Sequence, residues 1–189
     1  MATVRKARQS DLKNVEYICR MTAGELARTN DTVGEATAKA FSTYYIRECL
    51  DTCFVLADEK DCAVGYVLCE PDYKRFRKVF RKKDVPEILR IYKKLGNVAR
   101  FLPLPYTLCG RKYPAHLHID ILEEYQNKGY GSILIKSLLN ELEGRKIKGV
   151  MLTANSDNYG AIRFYKRLGF HTVINVKSTG IIMAKNLSK

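Results

Sequence analysis

The glycine-rich stretch EYQNKGYG constrains the fold of this chain more than any other segment. It joins an apolar segment that alternates like a strand, HLHIDIL, to a helical pattern that runs from Gly129 to about Glu143. The helical stripe consists of Gly131, Leu134, Ile135, Leu138, Leu139 and Leu142. A strand that passes through two glycines directly into a helix is typical of a tight turn, and also of a phosphate-binding site.

Two familiar phosphate-binding motifs do not fit the stretch. The dinucleotide fingerprint needs a third glycine at a set spacing, and a P-loop needs Gly-Lys-Ser/Thr after four intervening residues. A helix N-terminus remains, whose first amides lack intrahelical partners and carry positive dipole character. Gly129 and Gly131 would let a pyrophosphate approach those amides, and Lys128 would add charge. Taken alone, the stretch is compatible with a phosphate cradle and with an ordinary glycine-rich turn.

The remaining patterns predict one domain, residues 1–189, of mixed α and β structure. The predicted order is β-α-α-β-β-insertion-β-α-β-α-β-β, with antiparallel hairpins at TCFVLA/CAVGYVLCE and at FHTVINV/GIIMAK. Ser10 is predicted to cap the first helix, and a second helix is predicted over 36–50. The apolar positions of the first helix are Leu12, Val15, Cys19 and Leu26.

The insertion, about 71–114, carries the most unusual composition. Its first segment, YKRFRKVFRKK, has seven basic residues in eleven, with Tyr73, Phe76 and Phe80 at helical spacing. A second helix is predicted over DVPEILRIYKKLG, with Asp84 as its cap and Gly96 as its stop. The pattern favours an amphipathic helix with a solvated basic face. A patch for an anionic partner and a lid over a substrate groove are the functional alternatives, and no RNA-binding signature accompanies the basic residues.

Composition narrows the class of protein. The chain has 33 Lys and Arg against 20 Asp and Glu, and its net charge of +13 attracts phosphate groups. The charge alone does not distinguish a nucleic acid, an anionic membrane or a phosphorylated cofactor. Six cysteines without a C-x-x-C pair indicate reduced thiols in a cytoplasmic protein. No segment has the pattern of a membrane helix or an export signal, and three histidines make a metal centre an unfavourable prediction.

A second motif decides between the two interpretations of the glycines. The segment NYGAIRFYKRLGFH reads N-x-x-A-x-x-F-Y-x-x-x-G-F, from Asn158 to Phe170, and predicts a helix closed by Gly169. Together with Gln126-x-x-Gly129-x-Gly131, it resembles the two signatures of the GNAT superfamily of acyl-CoA-dependent N-acetyltransferases. The resemblance covers nearly the whole chain outside the insertion. The stretch AHLHIDILEEYQNKGYG is further similar to the acetyltransferase-like domains found alone in bacteria or fused behind O-GlcNAc hydrolases.

The resemblance implies a GNAT fold, an α/β (α+β) domain whose twisted mixed sheet splays open between the fourth and fifth strands. Acetyl-CoA would lie in that cleft, with its pantetheine arm along the fourth strand and its pyrophosphate on the helix N-terminus. Asn158 would contact the cofactor arm or orient the start of its helix. The implied cofactor-binding residues are Ile119, Ile121, Leu122, Gln126, Asn127, Lys128, Gly129, Tyr130, Gly131, Ser132, Asn158 and Tyr165.

The resemblance also implies catalytic roles. A backbone amide of the fourth strand, at Ile121 or Leu122, would polarise the thioester carbonyl, and Tyr165 would protonate the leaving thiolate. Because Tyr165 lies on an apolar helical stripe, a core tyrosine would give the same pattern.

The identity of a base stays open in the sequence. Asp120, His118 and His116 alternate along one strand and therefore share a face. If that face opens to the acceptor, Asp120 deprotonates or holds an amine with His118 as a helper; if it packs beneath a helix, the groups are structural.

Two functions follow. The first is direct acetyl transfer in a ternary complex to a primary amine, either a small molecule or a protein amine, with no metal. The second is a non-catalytic acyl-CoA-binding module recruited to a protein or nucleic acid through the basic insertion. We expect a monomer or a homodimer, with no membrane partner, and consider nucleic acid an unfavourable partner.

Overall fold

The computed structural model describes residues 1–101, 104–176 and 180–187, and these residues form a seven-stranded sheet. In chain order the strands are β1 (Thr3–Lys6), β2 (Phe54–Ala57), β3 (Ala63–Glu70), β4 (Ala115–Ile121), β5 (Gly149–Ala154), β6 (His171–Val176) and β7 (Gly180–Asn186). Across the sheet they lie in the order β1-β2-β3-β4-β5-β7-β6. Both predicted hairpins, β2/β3 and β6/β7, are antiparallel pairs.

The sheet is open between β4 and β5, because these strands pair over only part of their length. This pair is parallel, whereas the other neighbouring pairs are antiparallel, and its register extends only over Ala115↔Val150 and His116↔Met151. Beyond His116 the two strands separate. The predicted splay between the fourth and fifth strands is thus confirmed.

Helices cover both faces of the sheet. They are α1 (Leu12–Thr22), α2 (Glu25–Thr29), α3 (Asp31–Ala38), α4 (Tyr44–Glu48), α5 (Tyr73–Ile91), α6 (Lys93–Ala99), α7 (Leu104–Thr107), α8 (Tyr130–Gly144) and α9 (Tyr159–Arg167). A π-helix, Lys39–Thr43, joins α3 to α4. One core packs α1, α3–α6 and the π-helix on one face, and the other packs α8 and α9 on the opposite face.

The first two predicted helices differ from the prediction at their ends. Helix α1 begins after Asp11 rather than Ser10, because Asp11 accepts hydrogen bonds from the Arg8 amide at 2.7 Å and from the Arg5 guanidinium at 2.8 and 2.9 Å. Leu26 lies beyond its end and is 59% exposed. The second helix starts at Asp31, where the Asn30 side chain accepts from the Val33 amide, and it passes through the π-helix before ending at Glu48.

The insertion also departs from the prediction. Helix α5 continues through Asp84 and Pro86, and its cap is Asp72, which accepts from the Lys74 amide. Asp84 was therefore wrong as a cap: its side chain is fully buried, and one carboxylate oxygen lies 2.9 Å from Arg47 Nη2. Gly96 lies inside α6, where an added Cβ would come within 2.6 Å of the Leu89 side chain, so close packing explains this glycine.

The amphipathic character of α5 is confirmed. Tyr73, Phe76 and Phe80 are buried in the core, while basic residues occupy the outer face. None of the helices in the described part of the chain is both long and apolar enough to cross a membrane.

Candidate functional site

The separation of β4 from β5 creates a cleft of about 750 Å³. Strand β4, the N-terminus of α8, helix α9 and the last residue of α1 form its walls. Ten of the predicted site residues line it: Ile119, Asp120, Ile121, Gln126, Asn127, Gly129, Gly131, Ser132, Asn158 and Tyr165. Leu122, Lys128 and Tyr130 are predicted residues that do not line it.

The backbone of β4 presents free hydrogen-bonding groups to the cleft. In an antiparallel ladder, alternate residues direct their N–H and C=O groups to opposite neighbours. The Leu122 amide donates to the Val64 carbonyl at 3.0 Å, so Leu122 and Asp120 face β3, whereas Ile121 and Ile119 face the side from which β5 has separated. Two amides were predicted to polarise a thioester carbonyl. The Leu122 amide is directed to β3, so that alternative was wrong, and only the Ile121 amide is directed into the cleft.

The end of β4 is held by Gln126. Its side-chain Nε2 donates to the Ile121 carbonyl at 2.7 Å. Asn127, the next residue, has a φ of 58°, and Gly129 has a φ of 84°. The chain thus turns from the strand into α8 through two left-handed residues, of which glycine adopts that conformation without steric cost.

The N-terminus of α8 is an open cradle of amides. The first-turn amides of a helix have no intrahelical acceptor, and no side chain caps this helix within the described residues. A Cβ added at Gly129 would meet no atom within 4 Å, so the protein leaves open space beside the start of this helix. The cradle therefore fits an anionic group such as a pyrophosphate.

Gly131 lines the cleft, and it also has a packing role that the sequence did not reveal. A Cβ at Gly131 would lie 3.2 Å from Cζ of Phe164, so this glycine allows α9 to pack closely against α8. The Lys128 ammonium group lies 5.8 Å from the centre of the ring of Tyr125, a residue that lines the cleft, and a contact of Lys128 with a pyrophosphate stays a prediction. Tyr130 packs against the core beneath α8.

Helix α9 contributes two cations that the sequence patterns did not predict. Gly160, Arg163, Phe164 and Arg167 line the cleft at spacings of three and four residues, which places them on one face of α9. Neither arginine belongs to an ion pair within the described ranges, so both charges are available to an anion. The i, i+4 spacing of Arg163 and Arg167 was the signal, and it was visible in the sequence.

Asn158 begins α9. Its side-chain oxygen accepts from the Ala161 amide at 2.9 Å, which makes it the N-cap, and the same residue lines the cleft. Of the two predicted roles for Asn158, orientation of the helix start is confirmed. Its cofactor contact stays a prediction.

Tyr165 lies partly buried in the cleft wall, between the rings of Phe164 and Phe170. Burial raises the pKa of its hydroxyl well above the ordinary value, and the charge of Asp120 raises it further. At neutral pH the hydroxyl is therefore protonated. Among the described residues it has no hydrogen-bond partner, so it is free to donate into the cleft.

The shared face of His116, His118 and Asp120 divides into two environments. His116 is buried among aromatic rings, its Nε2 lies 2.5 Å from the Tyr45 hydroxyl, and burial lowers its pKa to about 3. His118 and Asp120 have side chains that are 31% and 24% exposed, and Asp120 lines the cleft. His116 is therefore a neutral structural residue, whereas Asp120 lines the cleft and His118 is partly exposed beside it.

Comparison with known proteins agrees with this geometry. A family model described as the acetyltransferase (GNAT) family matches residues 22–170. The chain belongs to the GNAT family. The crystal structure of SsHAT is similar to it over 100% of this chain and 99% of that chain, with a TM-score of 0.88 and 31% identity.

Two further proteins are similar to the chain, one in sequence over part of its length and one in fold. A Bacillus subtilis protein described as the uncharacterized N-acetyltransferase CgeE is 38% identical over an alignment of 125 residues that covers 59% of this chain and 45% of that protein. The chain thus spans less than half the length of this curated relative. The PaiA N-acetyltransferase of Thermoplasma acidophilum, solved in complex with coenzyme A, shares the fold with a TM-score of 0.60, 12% identity, and coverage of 98% and 99%.

Proposed function

We propose that this GNAT domain transfers an acetyl group from acetyl-CoA to a primary amine by direct attack in a ternary complex. One observation carries the proposal: a single cleft connects the unpaired edge of β4, the amide cradle at Gly129 and the free hydroxyl of Tyr165. These are the three elements that an acyl-CoA thioester needs, namely recognition of an extended amide arm, of a pyrophosphate, and of a leaving sulfur.

Binding of acetyl-CoA is assigned to the walls of the cleft. The backbone N–H and C=O of Ile119 would bond to the amide-bearing pantetheine arm, as an added strand would, and the Ile121 amide is left for the thioester. The first-turn amides of α8, with Asn127, Gly129 and Ser132 around them, would hold the pyrophosphate. Arg163 and Arg167 would neutralise phosphate charge.

Catalysis is assigned to three groups. The Ile121 amide would donate to the thioester oxygen as negative charge develops there. The amine nitrogen forms the new C–N bond, the C–S bond breaks, and the Tyr165 hydroxyl donates its proton to the departing sulfur. Asp120, 24% exposed at the same wall, would hold the amine.

The proposal is tested by following free-thiol release from acetyl-CoA with a panel of small amines and a lysine-containing peptide. We expect release with at least one acceptor, and an N-acetylated product by mass spectrometry. Tight binding of acetyl-CoA without release for any acceptor would contradict transfer and leave a binding module.

The second candidate, a non-catalytic acyl-CoA-binding module, is favoured by the outer face of α5. Arg75 and Lys83 pair with Glu70 and Glu48. A second set of α5 cations, which has no acidic partner within the described residues, comprises Lys74, Arg77, Lys78, Arg81 and Lys82. Salt-sensitive binding of a short RNA, combined with no amine acetylation, would favour this candidate.

The insertion contacts the strand that separates from β4. The Thr153 hydroxyl of β5 bonds to the Tyr106 hydroxyl at 2.6 Å, so α7 lies beside the end of the separated strand. This contact supports a role for the insertion as a cover over the acceptor side.

We infer a cytoplasmic protein from the six free cysteines, five of them buried. The likeness to the domains associated with O-GlcNAc hydrolases, the acceptor as a small or protein amine, and a monomer or homodimer stay predictions.

A further inference from the structure

A hydroxyl group in the core connects the two polar residues at the acceptor side of the cleft. Tyr66 of β3 is completely buried, and its hydroxyl lies 2.5 Å from Asp120 Oδ2 and 3.2 Å from His118 Nδ1. The two partners come from β4, which pairs with β3 in the register Tyr66↔Asp120 and Leu68↔His118. The sheet thus places all three groups together.

The Tyr66 hydroxyl donates its proton to Asp120, its nearest side-chain acceptor. Burial raises the pKa of this hydroxyl well above its ordinary value, so the hydroxyl keeps its proton. An ionised carboxylate only accepts hydrogen bonds, so the short contact to Asp120 uses the Tyr66 proton. Toward His118 the Tyr66 oxygen can then act only as an acceptor, which places the proton of a neutral His118 ring on Nδ1.

The other ring nitrogen of His118, Nε2, consequently has no proton and presents a lone pair. Nε2 lies 3.6 Å from Asp120 Oδ2, beside the carboxylate that lines the cleft. One face of the imidazole is covered by Phe41, at a centroid distance of 5.9 Å and an interplanar angle of 26°. Phe41 belongs to the π-helix, a rare element that recurs at functional sites because its wider turn displaces side chains.

We propose that Tyr66 fixes His118 in the Nδ1–H tautomer, so that His118 Nε2 accepts a proton from an ammonium group held by Asp120. This inference rests on the proposed acetyl transfer, and it names the acceptor class as a primary amine that arrives in its protonated form. An N–H bond of the ammonium breaks, its electron pair stays on nitrogen, and the proton moves to Nε2. The products are a neutral amine and an imidazolium ion beside the Asp120 carboxylate.

The surroundings of His118 favour this transfer. The titratable groups that face it or its partners are Tyr66, Asp120, His116, Tyr165 and Cys19. Burial lowers the pKa of His116 to about 3 and raises the pKa of Cys19 to about 12, so both are neutral at physiological pH. Asp120 is the charged member of this set, and its negative charge stabilises an ammonium ion before transfer and an imidazolium after it.

The tautomer is measured directly by ¹⁵N NMR of ring-labelled histidines near neutral pH, with the His118 signals assigned by their absence in His118→Gln. We expect the Nδ1–H tautomer in an excess of about tenfold, as one net hydrogen bond provides. In Tyr66→Phe, Nε2–H should become the major form, because it can then donate to Asp120. A wild-type ring protonated mainly on Nε2, or on both nitrogens, would overturn the proposal, as would an unchanged ratio in Tyr66→Phe.

The chain offers a matched control. Tyr113 holds His171 through a hydroxyl–Nε2 contact of 3.0 Å, so Tyr113→Phe should change the His171 signals and leave those of His118 unchanged. Because this readout needs no turnover, its result is independent of whether acetyl transfer occurs. Where an accepted amine is in hand, His118→Gln should lower kcat/KM by about 10²- to 10⁴-fold with the Kd for acetyl-CoA unchanged. A wild-type kcat/KM would refute the proton-acceptor role.

Discussion

Removal of one oxygen atom, in Tyr165→Phe, separates the catalytic role of Tyr165 from a structural role. The Tyr165 hydroxyl makes no hydrogen bond within the described residues, so its deletion breaks no native contact. The ring keeps its packing between Phe164 and Phe170. We therefore expect the free energy of unfolding to change by less than about 1 kcal/mol.

The kinetic effect should be much larger. Loss of a positioned proton donor costs about 10²- to 10⁴-fold in rate, or about 2.7 to 5.4 kcal/mol of transition-state stabilisation. Because the amide cradle of α8 lies elsewhere in the cleft, the Kd for acetyl-CoA should change less than about twofold. Tyr165→Phe should thus lower kcat while leaving acetyl-CoA binding almost unchanged.

The assay follows thiol release with calorimetric measurement of acetyl-CoA binding for the same samples. Tyr125→Phe is the matched control, since Tyr125 also lines the cleft but lies in the turn before α8. We expect near-wild-type kcat for this control. An unchanged kcat in Tyr165→Phe would refute the assignment of Tyr165 as the proton donor. An equal loss of kcat in both variants would show that the hydroxyls of the cleft act through packing.

Three other changes have defined outcomes. Gly129→Glu should abolish detectable acetyl-CoA binding in calorimetry, because a carboxylate about 4 Å from a phosphate costs about 1 to 4 kcal/mol and the side chain obstructs the amides. Arg163→Gln with Arg167→Gln should weaken acetyl-CoA binding about tenfold at low salt, and less at high salt, because exposed charges are screened. Arg47→Ala should lower the free energy of unfolding by about 3 kcal/mol in denaturant titrations at neutral pH, because Asp84 is then a buried charge without its partner.

Each of these predictions has its own control. Gly129→Gln carries the same backbone strain without the charge, so equal binding losses in both Gly129 variants would refute the electrostatic part of the explanation. Lys166→Gln removes an α9 charge outside the cleft lining and should leave binding intact. If it weakens binding as much as the arginine pair does, net charge rather than position governs affinity.

The Arg47 prediction includes a pH dependence. Burial raises the pKa of Asp84 in the folded protein above its unfolded value, and the hydrogen bond from Arg47 opposes that rise. A group with a raised folded pKa stabilises the fold below its unfolded pKa and loses that contribution as the pH rises through its folded pKa. Arg47→Ala removes the opposing interaction, so its stability deficit should shrink as the pH falls from neutral. A deficit that is constant with pH would contradict a buried carboxylate as its cause.

Local patterns were sufficient for the parts of the fold that depend on neighbouring residues. Gly129, the Asn158 cap and the Gly169 stop each have a backbone reason that is visible within a few residues of sequence. The period-two alternation of β4 is likewise local, and it is enough to place His118 and Asp120 on one face. The order of the seven strands along the chain followed from the same patterns, and the structure confirms it.

What the sequence did not reveal depends on partners that are distant along the chain. Asp84 has the pattern of a helix cap, but Arg47, 37 residues earlier, stabilises it inside a continuous helix. The Leu122 amide donates its hydrogen bond to the Val64 carbonyl, so only the sheet register shows that the Ile121 amide is directed into the cleft. Tyr66 was hidden for the same reason, since 52 residues separate it from His118.

The most direct test of the central claim is calorimetric titration of the wild-type protein with acetyl-CoA, with dephospho-CoA as the comparison ligand. The cleft predicts one saturable site for acetyl-CoA that is lost in Gly129→Glu, because the amides of α8 and the edge of β4 form a single groove. No binding of acetyl-CoA, or binding that Gly129→Glu leaves unchanged, would contradict this assignment of the cleft.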